Sequence, residues 1–317
     1  MKKLIFLSPV FKDYIWGGTK LKEELKKETT YERVAESWEI SANQNGNCRI
    51  INEEFNGITL DDLFKNKNLK ETIFGKRCIN MDEFPLLIKF IDANDNLSIQ
   101  VHPDDVFAKK NGYLNGKSEM WYIMDCGKNT QLIGGLNNIF NRDQLRNAIN
   151  TNIKNFLNYI DVKKGDCVYI PAGVVHSILK DKLICEIQQN SDITYRVYDW
   201  DRLDKDGNPR KLHKKEAIDV IKTNVKPEII HTNSYDIVQN IMCNEYFKVD
   251  KINCKDMFID KSNENSFYSI VIVEGEGNII TNTQNVSLKK GVCFIIPASL
   301  GSYKIIGKIE FLKVTIV

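Results

Sequence analysis

Short apolar runs punctuated by turn residues dominate the chain. Leu86-Leu87-Ile88-Lys89-Phe90-Ile91, Leu97 to His102, Trp121 to Met124, Val168 to Ile170 and Ile270 to Val273 are rich in β-branched and aromatic residues. Gly, Asn, Asp or Pro bound them. Such segments predict strands. Helical spacing is rarer. Asp143 to Leu157 spaces Leu145, Ala148, Ile149, Ile153, Phe156 and Leu157 as one apolar face, which predicts a helix. A second helix is predicted over Lys214 to Val225, with Ala217, Ile218 and Ile221 on one side. Thr59-Leu60-Asp61-Asp62 reads as a capped helix start. Many short strands with a few inserted helices predict a mainly β sandwich or barrel.

The pattern also repeats. Gly165-Asp-Cys-Val-Tyr-Ile-Pro171-Ala172-Gly-Val-Val-His176-Ser177 is echoed by Gly291-Val-Cys-Phe-Ile-Ile-Pro297-Ala298-Ser-Leu-Gly-Ser302-Tyr303. Upstream, Glu119 to Gly127 lies over Phe267 to Gly275. Self-similarity of this kind predicts two related β units. Residues 1–234 form the larger, with helical insertions, and residues 235–317 the smaller. At the positions of Glu119 and His176 the second copy has Phe267 and Ser302, so chemistry carried by the first pair is absent from the second unit.

Composition narrows the class. With 317 residues, 42% hydrophobic and 27% charged, the chain is globular. The 44 basic and 42 acidic side chains leave a formal charge of +2, which gives no basis for a nucleic-acid or membrane partner. The apolar run Leu4-Ile5-Phe6-Leu7 is too short for a secretory signal or a membrane span. A cytoplasmic protein is expected, with a monomer favoured. None of the eight cysteines forms a C-x-x-C pair, and buried free thiols are expected.

Candidate chemistry centres on two of the four histidines. In Leu97-Ser98-Ile99-Gln100-Val101-His102-Pro103, alternation sets Ile99 and Val101 on one face and Ser98, Gln100 and His102 on the other. Pro103 ends the strand, leaving His102 at a sheet rim. Glu119 enters an apolar strand, where a carboxylate needs a partner. Pro171-Ala172-Gly173 turns the chain before His176. Each residue alone reads equally well as structural. Together, two His and one Glu suit a catalytic metal with open positions: zinc, iron or manganese. Gln100 can add an amide oxygen or bond a ligand from outside. His213 and His231 lie outside these motifs and are expected to be dispensable.

These motifs, with Tyr14-Ile15-Trp16-Gly17-Gly18, Glu36-Ser37-Trp38-Glu39-Ile40-Ser41, Pro85 to Lys89, Gly116 to Tyr122 and Asp192 to Asp199, resemble the cupin-fold mannose-6-phosphate isomerases in their short bacterial form. The likeness spans about residues 8–202. It implies cupin (jelly-roll) β-sandwich units and one zinc per chain. The implied zinc ligands are His102, Glu119 and His176, with Gln100 as a further ligand. It also implies a phosphosugar substrate and an active-site Arg196, with an acidic residue, Glu186, ten positions earlier. Lys89, Lys117 and Ser98 match pocket positions. Chemically, a carboxylate such as Glu186 suits proton transfer between C1 and C2 of an open-chain sugar. Arg196 is too weak an acid to serve as a base and suits holding charge. Lys117, Lys89 and Arg202 are candidate phosphate contacts. Trp16 and Trp38 can stack on sugar or pack in the core. The competing expectations are an iron-dependent cupin dioxygenase and a non-catalytic phosphosugar-binding module.

Overall fold

The computed structural model describes residues 3–204 and 206–317. Three antiparallel sheets are stacked. The central sheet orders its strands Glu228–His231, Asp166–Ile170, Glu119–Cys126, Lys182–Gln189, Leu86–Ala93, Glu36–Asn43 and Val10–Lys12. One face meets a five-stranded sheet, ordered Leu157–Val162, Thr130–Leu136, His176–Ser177, Ile99–Val101 and Tyr195–Tyr198. Trp121, Ile123, Val168, Ile184 and Ile91 pack there against Leu132, Ile160 and Ile178. Its other face meets the nine-stranded C-terminal sheet, where Met120, Tyr122, Cys185, Ile187 and Phe90 pack against Val271, Ile295, Leu312 and Val314. Burial on both faces explains why Leu86 to Ile91 reads as a continuous apolar run with no alternation.

The C-terminal sheet begins its path at Val238–Cys243 and also recruits the N-terminal strand Ile5–Ser8, which pairs with Cys293–Ile296. The first strand of the chain thus ties the two β units together. An aromatic group of Phe64, Phe74, Phe84 and Phe267, with ring centroids 5.0–5.8 Å apart, fills the junction.

The strand expectations agree with this architecture, and Thr59 caps Leu60–Lys65 by accepting from the Asp62 N–H at 3.1 Å. Both longer helices are shorter than expected. The first spans Arg142–Asn150, then a 3-10 turn at Ile153–Phe156 leads into the strand Leu157–Val162. Asn150, Thr151 and Asn152 interrupt it, being residues whose side chains compete for backbone groups. The second ends at Val220, where Lys222 leaves the helix and donates its N–H to the Gly173 carbonyl.

Strand pairing also corrects the internal repeat by one residue. Ile170 pairs with Glu119, whereas its counterpart Ile296 pairs with Tyr268. Tyr268, not Phe267, is the equivalent of Glu119. Phe267 points instead into the aromatic junction.

Candidate metal centre and active site

On its face toward the five-stranded sheet, the central sheet changes character along its strands. Ile91, Ile123, Ile184 and Val168 are apolar at one end. At the other, Glu36, Lys89, Glu119 and Glu186 are all buried. This charged end builds the site.

His102, Glu119 and His176 converge there, each at most 1% exposed, with ligand atoms within 4.8 Å of one another. The His102 Nδ1 lies 2.6 Å from the Ile193 carbonyl and the His176 Nδ1 2.9 Å from the Val174 carbonyl. A carbonyl can only accept, so both Nδ1 atoms carry the proton. Both Nε2 lone pairs then face Glu119, at 3.4 Å from Oε2 and 3.2 Å from Oε1. Two imidazole nitrogens and two carboxylate oxygens thus confront one another. The His102 Nε2 and both Glu119 oxygens lack hydrogen-bond partners among the described residues. Burial, then the charge of Lys117, holds the His102 imidazole well below its usual value; burial lowers His176 to about 4. Burial, then the charge of Glu186, raises Glu119 to about 7. Neutral imidazoles around a buried carboxyl form a cradle for a cation, whose charge would favour the ionised, ligating form of Glu119.

The turn before His176 is built for this. Gly173 adopts φ +94°, a left-handed conformation that suits glycine, and donates its N–H to the His102 carbonyl at 2.8 Å. Two ligand-bearing segments are thereby joined directly.

Around the trio runs a charge network. Lys117 Nζ lies 3.0 Å from Glu119 and 3.5 Å from Glu186; Lys89 Nζ lies 3.1 Å from Glu186 and 3.4 Å from Glu36. The Trp121 indole donates to Glu186 at 3.1 Å and the Trp38 indole to Glu36 at 2.6 Å. Two ammonium groups against three carboxylates leave one negative charge in excess, which a bound cation would offset. Burial alone would raise Glu186, but Lys89 and Lys117 outweigh it and hold the carboxyl below its usual range.

A cavity of about 300 Å³ opens beside this network. Gln100, Ser98, Lys89, Lys117, Glu186 and Arg196 line it, as do Tyr14, Trp16 and Trp38. The trio itself lies just behind the wall: Gln100 Nε2 is 3.4 Å from His176 Nε2, and Ser98 contacts the Gln100 Oε1 at 3.2 Å. Lys89 and Lys117 are held among carboxylates, so their first role is to compensate charge.

Two expectations about the far wall change. Arg202 is absent from the cavity lining and pairs with Asp199 at 2.8 Å and Asp95 at 3.3 Å. His213 does line the cavity, as does Arg210, which sequence reasoning missed. Both lie in a polar stretch without strand periodicity. Their only signal was proximity in sequence to Arg196. Arg196 pairs with neither Asp199 nor Glu186. Its Nη1 donates to the Lys211 carbonyl at 3.0 Å, and its Nε is buried without a partner among the described residues. Tyr198 leaves the face of Thr194 and Arg196 because a bulge follows Arg196; it packs with the outer apolar cluster. His231 is largely exposed, bonded to Asp166 at 2.8 Å, and away from the site.

Sheet stacking and a buried two-His-one-carboxylate cradle define a cupin-fold protein built to hold a cation beside a polar cavity. Residues 4–129 match the family model for the phosphomannose isomerase type I catalytic domain, and residues 237–316 match that for the mannose-6-phosphate isomerase cupin domain. Mannose-6-phosphate isomerase ManA of Bacillus subtilis is 38% identical over 314 residues, 96% of each chain. The mannose-6-phosphate isomerase of Streptococcus mutans is 33% identical, covering 98% of each. The crystal structure of the mannose 6-phosphate isomerase from Bacillus subtilis superposes with a TM-score of 0.88 at 35% identity, covering 98% of this chain and 99% of that one. A putative mannosephosphate isomerase from Archaeoglobus fulgidus shares the fold, with a TM-score of 0.77 at 18% identity and coverage of 99% and 97%. This chain belongs to the mannose-6-phosphate isomerase family, a family of intramolecular oxidoreductases. No helix among the described residues is long and apolar enough to cross a membrane.

Proposed function

We propose that the chain is a zinc-dependent aldose–ketose isomerase interconverting mannose 6-phosphate and fructose 6-phosphate, with one zinc held by His102, Glu119 and His176 and by the Gln100 amide oxygen. The observation that carries this reading is the buried set of two imidazole nitrogens and two carboxylate oxygens facing one another beside a cavity lined by charged side chains, Lys89, Lys117, Arg196 and Arg210 among them. Imidazole and carboxylate donors fit zinc. Bound there, the metal supplies a Lewis acid for the oxyanion that develops at O1 or O2.

The remaining roles belong to the chain. Glu186 carries the proton between C1 and C2. Lys89 and Lys117 keep it ionised, and the Trp121 N–H fixes its orientation. The same ammonium groups weaken it as a base, so the C–H must be made acidic by the cationic field of Lys117 and Arg196. Arg196 is fixed by its strand and holds developing negative charge. Ser98 orients Gln100. We read residues 1–234 as the catalytic unit and residues 235–317 as a unit without metal ligands, in a cytoplasmic protein.

The test is a coupled isomerase assay on metal-replete and chelated protein, with metal content measured. Activity lost on chelation and restored by one equivalent of zinc is expected. Restoration by iron alone, or no turnover of mannose 6-phosphate, would overturn the reading.

A further inference from the structure

The segment after the Tyr195–Tyr198 strand does not run off into solvent; it folds back over the cavity. The His213 N–H donates to the Arg196 carbonyl at 2.7 Å, and the His213 Nδ1 accepts from the Arg196 N–H at 3.2 Å. Asp199, 5% exposed, binds Arg210 through Nε at 2.6 Å and also through Nη2. Arg210 lines the cavity together with Arg196, and Nε and Nη2 are the atoms it turns to Asp199. Asp199 must also serve Arg202. Arg202 and Arg210 thus share one buried carboxylate, Arg202 also reaches the half-exposed Asp95, and Arg196 beside them forms an ion pair with neither. Burial, then the neighbouring Arg210 charge, lowers the Arg196 pKa. Like charges held side by side at a cavity wall favour an anionic ligand beside them.

Position in the sheet says which part of a ligand this end meets. His176 pairs with Gln100, and Gln100 with Arg196, in one row across the five-stranded sheet. Adjacent antiparallel strands lie about 5 Å apart, so this row sets the Arg196 backbone about 5 Å from that of Gln100 and about 10 Å from that of His176. A six-carbon chain that starts at the metal cradle and passes Arg196 would carry its phosphate toward the segment bonded beyond Arg196. Arg210 approaches from a segment bonded to the outer edge of Arg196.

Resting on the isomerase reading above, we propose that Arg210 is a specificity-determining residue that contacts the phosphate of the substrate, with its planar fork positioned by Asp199. A guanidinium whose Nε and Nη2 are pinned by a carboxylate presents its remaining N–H groups in a fixed direction, which suits a phosphate oxygen. Arg202, which shares Asp199 but faces away from the cavity, has no such role.

The test is steady-state kinetics on Arg210→Ala, Arg210→Lys and Arg202→Ala, with zinc content and melting temperature measured and inorganic phosphate used as competitive probe. Arg210→Ala is expected to raise KM for mannose 6-phosphate and the inhibition constant of inorganic phosphate together, by about 10- to 100-fold, the range for a charged hydrogen bond. Its kcat is expected to change by less than about threefold, since uniform binding moves KM. Arg210→Lys, which keeps the charge but not the fork, should fall between Arg210→Ala and the unaltered protein. Arg202→Ala should raise KM less than Arg210→Ala. An active Arg210→Ala protein with unchanged KM and unchanged phosphate inhibition would overturn the proposal while leaving the isomerase reading intact. Failure of the unaltered, zinc-loaded protein to turn over mannose 6-phosphate would instead remove that reading. If Arg210→Ala loses zinc or melts early, the lysine variant decides: KM and phosphate inhibition equal to those of the unaltered protein would overturn the proposal.

Discussion

The large unit and the C-terminal unit share a backbone pattern and differ in what faces inward. In the first, Ile170 pairs with Glu119, and the strand after the Pro171 turn starts at His176. In the second, Ile296 pairs with Tyr268, and the strand after Pro297 starts at Ser302. The first interior contains carboxylate and imidazole atoms without partners. In the second, Tyr268 and Tyr303 lie among Ile270, Ile296 and Phe311, and Asp260 accepts from Tyr303 and Lys313, both at 2.8 Å. Buried polar groups are normally satisfied. Single atoms escape this rule in both units: Asn253 Oδ1 and Ser269 Oγ of the second are also buried without partners. The comparison teaches that the scaffold is indifferent to chemistry, and that the convergence of imidazole and carboxylate atoms, not isolated unsatisfied ones, marks the functional copy.

The harshest test removes a ligand. His176→Ala should lose the metal and, with it, at least about 10³ in kcat, the loss expected when several kcal/mol of charge stabilisation disappear. Metal analysis and turnover on the same sample check this. The unaltered chain should hold one zinc, and a second stoichiometric zinc in the C-terminal unit would break the comparison. Next come the residues that act on charge and proton. Arg196→Ala should lower kcat by about 10²–10³ with zinc retained, and Glu186→Gln by about 10²–10⁴. Unchanged kcat would remove either residue from the mechanism.

Phe267 sharpens the contrast from the structural side. It is fully buried against Phe74 and Phe84. Phe267→Ala should cost about 3–5 kcal/mol in urea unfolding, with zinc content unchanged in the folded protein. The smallest effect concerns one carboxylate from each unit. Burial raises Asp92 to about 6, despite the Lys20 N–H it accepts. Its folded value exceeds the unfolded one, so its protonated form stabilises at low pH and that contribution is lost as pH rises through about 6. Asp260 is opposite: burial pushes it up, but Lys313 and other donors outweigh this and hold it low. Its contribution is present above the unfolded value, about 3.9, and is lost as pH falls. Asp92→Asn should flatten the decline in stability between about pH 4 and 6, and Asp260→Asn should flatten the decline below about pH 4. Melting temperature against pH separates the two.

Much of the site was legible from local pattern. Alternation in Leu97 to Val101 set Gln100 on the polar face, and Pro103 fixed the strand end beside His102. The Pro-Ala-Gly turn before His176 announced a change of direction. Tyr198 was misplaced because a bulge at Val197 reverses its face, and a single extra residue in one strand leaves no mark in periodicity. The helices were overdrawn because apolar spacing continues past Asn150 and Val220, while backbone bonds to other segments end the helices there.

The sequence by itself determined the strand segments and singled out the set His102, Glu119 and His176, which the fold brings together. These follow from residue type and spacing along a few consecutive positions, which dictate backbone conformation and facing. Only the tertiary structure decided which cations meet the cavity. Arg202 and Arg210 are alike in type, and both bind Asp199. What separates them is the path by which residues 199–213 return to the sheet, with His213 bonded to Arg196, and that path is fixed by long-range hydrogen bonds and burial that no local pattern encodes.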